Sequence, residues 1–330
     1  MDADLRQLTI ATSDGRERYI AETDFDIQVG RDTNSFVVQM QYVEGGELPA
    51  MGQRVFIPYT EYGGPVGEIR SSTITGTVEI CGLTWRGLLK RKIIQPDKGK
   101  AYYTVSGSVL TILRNLITRL GIGAYFVADP SIEAETGSFS FDRYTDAESG
   151  IRKLLKHIGL KMTLTYDPEQ QRVVIGAAEV TNYSAEVEMS TDGELNIETT
   201  QIRNGVNHLI CLGQGELAKR LVTHLYTNAA GTISTTQSLF REQEIAAVFE
   251  DNGADTIVKL QDGGRKRLQE ICNRVLFSAD VERTSKDLLI DDIISGIDYV
   301  TGLRVATPIT GVICQSMDGA VSVEYTLQED

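Results

Sequence analysis

Ser72-Thr-Ile-Thr-Gly-Thr-Val-Glu-Ile-Cys-Gly-Leu-Thr-Trp-Arg-Gly-Leu-Leu-Lys-Arg-Lys-Ile-Ile-Gln-Pro96 is the stretch on which the fold turns. Its first part, through Gly82, alternates apolar and polar residues with a period of two, the pattern of a half-buried strand. From Trp85 the apolar residues Leu88, Leu89, Ile93 and Ile94 recur at helical spacing, and Pro96 closes the run. A strand therefore gives way to a short helix over 85–94.

Toward the N-terminus, Asp24-Phe-Asp-Ile-Gln-Val-Gly30, Ser35-Phe-Val-Val-Gln-Met-Gln-Tyr-Val43, Gln53-Arg-Val-Phe-Ile-Pro-Tyr59 and Val66-Gly-Glu-Ile-Arg70 are β-rich runs bounded by Gly, Asp and Asn. Short strands at close, regular spacing predict an antiparallel sandwich or barrel over 1–95.

Toward the C-terminus the period changes to 3.6. In Ser108-Val-Leu-Thr-Ile-Leu-Arg-Asn-Leu-Ile-Thr-Arg-Leu-Gly121 the apolar positions form one stripe, with Ser108 as N-cap and Gly121 as stop. Thr145-Asp-Ala-Glu148 has the spacing of a capping box and opens a second helix that buries Ile151, Leu154, Leu155 and Ile158. Lys161-Met-Thr-Leu-Thr-Tyr166 and Arg172-Val-Val-Ile-Gly176 read as a hairpin, which closes an α+β insertion over 96–184.

β patterning then resumes, and strands from about 185–226 are expected to complete the first barrel. A second barrel-like domain is expected over 227–330, with one helix at about 265–277 and a hairpin turning at Asp318-Gly319. The fold class is α+β, mainly β: two barrel-like antiparallel β domains with smaller α/β insertions.

The 330 residues carry 32 Lys and Arg against 46 Asp and Glu, a formal charge of −14. A free nucleic-acid binder needs an excess of cations for phosphates, and this chain has none. By segment, residues 1–100 hold 14 acids and 12 bases, 101–180 hold 9 and 8, and 181–330 hold 23 and 12, so most of the excess lies in the last segment. An acidic, polar N-terminus and the lack of an apolar run near 20 residues give no expectation of export or of a spanning helix. Cys81, Cys211, Cys272 and Cys314 stand far apart among apolar neighbours, which reads as reduced, buried thiols.

Candidate chemistry is sparse. Gly213-Gln-Gly-Glu-Leu-Ala218 fits the dinucleotide fingerprint, but the alternating residues after it favour a hairpin turn, and no cofactor is expected. His208 and His224 flank those glycines and with Glu216 have the makings of a metal site, although polar strand histidines are far commoner and no metal is expected. His157 reads as solvated. Asp287, Asp291, Asp292 and Asp298 offer carboxylate pairs of the kind glycoside hydrolysis uses, but in so acidic a chain such pairs arise by chance. No catalytic residue is assigned, and the chain is not expected to be an enzyme. The one positive cluster is Arg86, Lys90, Arg91 and Lys92, with Lys98 and Lys100 following; together with Trp85 it is expected to form a subunit contact.

The order of these elements, with Gly82-Leu-Thr-Trp-Arg-Gly-Leu-Leu-Lys-Arg-Lys-Ile-Ile-Gln-Pro96 and the strand end Leu212-Gly-Gln-Gly-Glu216, resembles the siphophage tail proteins related to the baseplate hub of contractile tails and to the N-terminal hub part of tail-associated lysins. The Gly296-Ile-Asp-Tyr-Val300 stretch is similar to that family's G-D-x-V turn but carries one extra residue. The resemblance implies a homotrimer presenting six similar barrels around a channel, which connects the tail tube, or a distal tail protein, to the other tail-tip proteins. It implies a place in the virion tail after assembly in the host bacterial cytoplasm, with DNA passing through unbound and no membrane insertion. The competing reading is a cell-wall-degrading, tail-associated hydrolase using a carboxylate pair.

Overall fold

A computed structural model describes residues 5–41, 47–183, 188–189, 195–202, 204–228, 231–281, 288–298 and 302–328. Asp287 and the end of the Gly296–Val300 stretch lie outside the described residues, as does the side chain of Asp298. The chain divides into two compact units, residues 1–197 with 279–330, and residues 198–278. The expected class, α+β with β predominant, is the class observed.

In the larger unit an antiparallel sheet runs in the order Leu303–Met317, Asp24–Gly30, Ser35–Gln41, Thr77–Leu83, Gly63–Ser72, Arg54–Phe56, Leu8–Ala11, Glu17–Ala21. Alternation in Asp24–Gly30 and Ser35–Gln41 buries Phe25, Ile27, Val29, Phe36 and Val38 on one face. Ala320–Gln328 pairs with Leu303–Met317 across Asp318 and Gly319, whose φ angles of 50° and 76° are those of a two-residue hairpin turn.

Two expected groupings are corrected. Leu303–Met317 pairs directly with Asp24–Gly30, from Gly311 opposite Gly30 to Ser316 opposite Phe25, so the C-terminal hairpin joins the N-terminal strands rather than a separate domain from 227 onward. Strands His208–Leu212 and Val222–Thr227 do not complete the first sheet. They pair with each other and with Ile233–Ser234 and Ala246–Glu250 in the smaller unit. Local alternation defines each strand, whereas the choice of partner rests on contacts hundreds of residues apart.

Four helices occur among the described residues: α1 (Trp85–Lys90), α2 (Val109–Leu120), α3 (Ala147–His157) and α4 (Ile257–Ile271). The expected ends of α2 are observed: Ser108 Oγ accepts from Thr111 N, and Gly121 takes φ 65°. Helix α1 stops four residues early, because Ile94 N donates to Thr145 O at 2.8 Å and Ile93 bridges to Asp146 in extended backbone. At α3 the cap is Asp146, whose Oδ1 accepts from Ser149 N at 2.8 Å, and not Thr145. Glu148 does not reach back to the helix start; it turns inward to Arg86.

The last helix begins eight residues before the expected start, and Arg274–Val281 is strand. Within α4, Gly264 serves packing. A Cβ at Gly264 would sit 2.5 Å from Cys211 Sγ and 2.9 Å from a Leu225 methyl, so only glycine lets α4 lie this close to its sheet.

The expected hairpin of the insertion is observed as Leu160–Asp167 with Arg172–Glu179, extended by parallel Phe126–Ala128. Helices α2 and α3 cover it. Their core continues into the first sheet: Ala11, Phe56, Trp85 and Leu89 belong to one cluster with Leu113, Leu116, Leu155 and Ile175. All four cysteines are buried, and none is joined in a disulfide among the described residues.

Candidate assembly surface and its ion network

Helix α1 is held from beneath. Trp85 is fully buried and stacks on Tyr166 at 5.5 Å, and Tyr166 stacks on Phe56 at 3.8 Å, so one aromatic column joins helix, insertion and first sheet. Gly87 permits the approach, since a Cβ there would meet Asn34 O at 2.6 Å.

Beside the column runs a chain of alternating charge. Arg86, 2% exposed, donates to Glu61 Oε2 at 2.8 Å and to Glu148 Oε1 at 3.1 Å. Glu148 also faces Arg152, which reaches Asp291, and Asp291 accepts from Arg31 at 3.0 Å. The six side chains come from the first sheet and its loops, α1, α3 and the C-terminal segment. Burial opposes the Arg86 charge, but the two carboxylates outweigh it and raise its pKa. Asp291 holds its place with φ 73°, a conformation ordinary residues avoid. Next to it Asp292 takes Lys161 as partner, with Thr181 N and Leu289 N also donating to its carboxylate.

Arg54 is a second anchor. Only 2% exposed, it pairs with no carboxylate among the described residues but donates to the carbonyls of Ser13, Gln171 and Ala124, and its guanidinium lies 4.9 Å from the Tyr125 ring centre.

These positions correct the expected contact. Trp85 and Arg86 lie inside the chain and are structural; Lys90 is half-buried, and Arg91 and Lys92 are exposed. Nothing around Arg86 in sequence reveals its partners, because Glu61 and Glu148 are 25 and 62 residues away. In sequence Glu148 suits a capping box equally well.

A cleft of about 560 Å³ lies where the ends of α1 and α2 meet, lined by Arg91, Lys92, Ile93, Gln95 and Arg119 among others. Arg119 is committed: it pairs with Asp97, donates to Gln95 O and covers Tyr103. Arg91 also borders a groove of about 390 Å³ on the outer face of the first sheet, with half-buried Val37, Leu83 and Leu88.

The remaining candidates resolve as structure. Gly213–Ala218 is a hairpin loop closed by Gly213 N to Leu221 O at 2.7 Å, and no α-helix follows it. His208 Nε2 lies 2.8 Å from His224 Nδ1, as the hairpin suggested, but the carboxylate beside His208 is Glu244, not Glu216. No group of three metal-ligating side chains occurs among the described residues. His157 is exposed, its ring 5.5 Å from that of Phe139. Asp291 and Asp292 are bound to cations as above.

By sequence, no family model matches the chain and no curated protein matches it. By structure, it is similar to the 43 kDa tail protein of prophage MuSo2 from Shewanella oneidensis, with TM-score 0.60 and 15% identity over 97% of this chain and 98% of that one. It is similar to the tail protein of Neisseria meningitidis, with TM-score 0.55 and 14% identity over 98% and 96%. A chain of the phage P2 baseplate matches with TM-score 0.50 and 8% identity over 97% and 98%. The fold is thus that of phage tail and baseplate proteins.

Proposed function

We propose that this chain is a structural phage protein of the tail tip or baseplate hub. It assembles as a homotrimeric ring whose six barrel-like elements surround the channel through which DNA passes, and it joins the tail tube or a distal tail protein to the remaining tip proteins. Assembly takes place in the host bacterial cytoplasm, and the mature location is the virion tail. The observation that carries this reading is the end-to-end match with the Shewanella prophage tail protein, in which nearly all of both chains is aligned.

Two features support it. The titratable side chains gathered beneath α1 hold elements together and are spent on one another. A strongly acidic chain also suits a channel that DNA must traverse without adhering. The hydrolase reading loses two of its four carboxylates, Asp291 and Asp292, to buried ion pairs. Among the described residues no helix is long and apolar enough to cross a membrane.

Light-scattering mass across concentration, with zymography on cell wall, tests the reading. It requires three times 36.3 kDa, about 109 kDa, and no lysis. Lysis abolished by neutralising an acidic pair would overturn it.

A further inference from the structure

Asn252-Gly253 is one of two Asn-Gly pairs in the chain; Asn204-Gly205 is the other. Such a pair carries its own reaction partners. The side-chain carbonyl carbon of the asparagine is within reach of the next backbone nitrogen, and glycine puts no Cβ in the path. Ring closure is slow in an ordinary chain because the nitrogen must lose a proton while the carbonyl oxygen takes up charge.

Both needs are met at Asn252. Strand Ala246–Glu250 runs into a turn closed by Ala254 N donating to Asp251 O at 3.0 Å, with Asn252 and Gly253 exposed at its two central positions. Gly253 N donates to Asp251 Oδ1 at 3.0 Å, so the proton to be lost already points at a carboxylate. Asn252 Oδ1 accepts from the Arg220 guanidinium at 3.0 Å, so the oxygen that gains charge already faces a cation. Arg220 is itself held, donating to Gly213 O at 3.1 Å and to Glu250 at 3.5 Å. Asn204-Gly205 offers the contrast. Gly205 N donates at 2.8 Å to the side-chain oxygen of Asn273, a carboxamide and a poor base, and a Cβ at Gly205 would lie 2.2 Å from the Cys272 carbonyl carbon, which leaves that backbone no room to turn.

We infer that Asn252 is a self-modification site, at which Asp251 as base and Arg220 as oxyanion partner drive closure onto Gly253 to a cyclic imide that opens to aspartate and isoaspartate. The Gly253 N–H proton passes to Asp251, the nitrogen bonds to Asn252 Cγ, and the bond from Cγ to the side-chain nitrogen breaks. That nitrogen leaves as ammonia with the proton returned by Asp251. Water then adds to either imide carbonyl and opens the ring. The product sets a new carboxylate against Arg220, and its isoaspartate form lengthens the main chain of the turn by one carbon. Every group involved belongs to one chain, so the reaction does not depend on ring assembly.

Timed incubation of the full chain near neutral pH, followed by digestion and peptide mass analysis with isoaspartate detection, reads both pairs in one sample. Asn252 should convert at least about tenfold faster in the native chain than in the chain unfolded in urea at the same pH. Asn204 should do the reverse, converting more slowly when native. Arg220→Gln and Asp251→Ala should each remove the native excess at Asn252 and leave the rate at Asn204 unchanged. Should a variant fold poorly, the native-to-unfolded ratio of the wild type decides alone. Conversion of Asn252 that is no faster in the native chain than in the unfolded one overturns the inference, because the two hydrogen bonds then act only as restraints on the turn. A native excess that survives in both variants overturns the roles given to Asp251 and Arg220.

Discussion

Arg86 on α1 and Glu148 on α3 meet at 3.1 Å, with 2% and 1% of their side chains exposed, across 62 residues of sequence. Two charges so deep remain favourable only while each has its partner, so the pair fixes how the helical insertion seats against the first sheet.

Removing one member weakens the compensation of the other to a degree set by the partners that remain. Arg86→Met leaves Glu61 without its cation and Glu148 with Arg152 alone at 3.7 Å, and should cost about 3–5 kcal/mol in denaturant unfolding. Glu148→Gln should cost less, because Arg86 retains Glu61 at 2.8 Å. Equal losses in the two variants would show that Glu61 contributes nothing to the pair.

The cap of α3 separates two neighbouring residues. Asp146→Ala should lose about 0.5–2 kcal/mol, since its carboxylate accepts from Ser149 N at 2.8 Å. Thr145→Ala should be nearly neutral: its hydroxyl makes one long contact of 3.4 Å to Asp146 O. Thermal melts of the two variants check the assignment, and the reverse order would restore Thr145 as cap.

Adjacent glycines in α4 should respond with opposite signs. Gly264→Ala places a methyl 2.5 Å from Cys211 Sγ and should destabilise despite alanine's better helix propensity. At Gly263 the new methyl meets the Phe249 ring at 3.4 Å, so Gly263→Ala should gain up to about 1 kcal/mol. Calorimetry of the two variants is sufficient.

Alkali should destabilise the fold through Cys314. Burial pushes this thiol from 9.0 up to about 12. Its contribution is complete below pH 9 and is lost as pH rises toward 12, because the unfolded chain ionises first. The slope is at most about 1.4 kcal/mol per pH unit, and Cys314→Ala should flatten it. An unchanged slope in that variant would assign the effect to other groups.

What the sequence disclosed follows physical range. Helix α2 was readable to the residue because its stripe, Ser108 cap and Gly121 stop are all local, and the 160–179 hairpin for the same reason. Pairing of Asp24–Gly30 with Leu303–Met317 was not, since nothing in either strand names its partner. Glu148 suited two roles, and a guanidinium 62 residues away settled which one it took. The early start of α4 was not legible, since the need for glycine at 264 comes from a facing cysteine, Cys211, 53 residues away. Charge pattern singled out the stretch 85–92, but which of its side chains face outward depends on the aromatic column beneath it.

Electron-microscope class averages of the purified chain test the central claim most directly. The account predicts a threefold ring with six lobes about a central hole; particles the size of one 36.3 kDa chain at every concentration would contradict it.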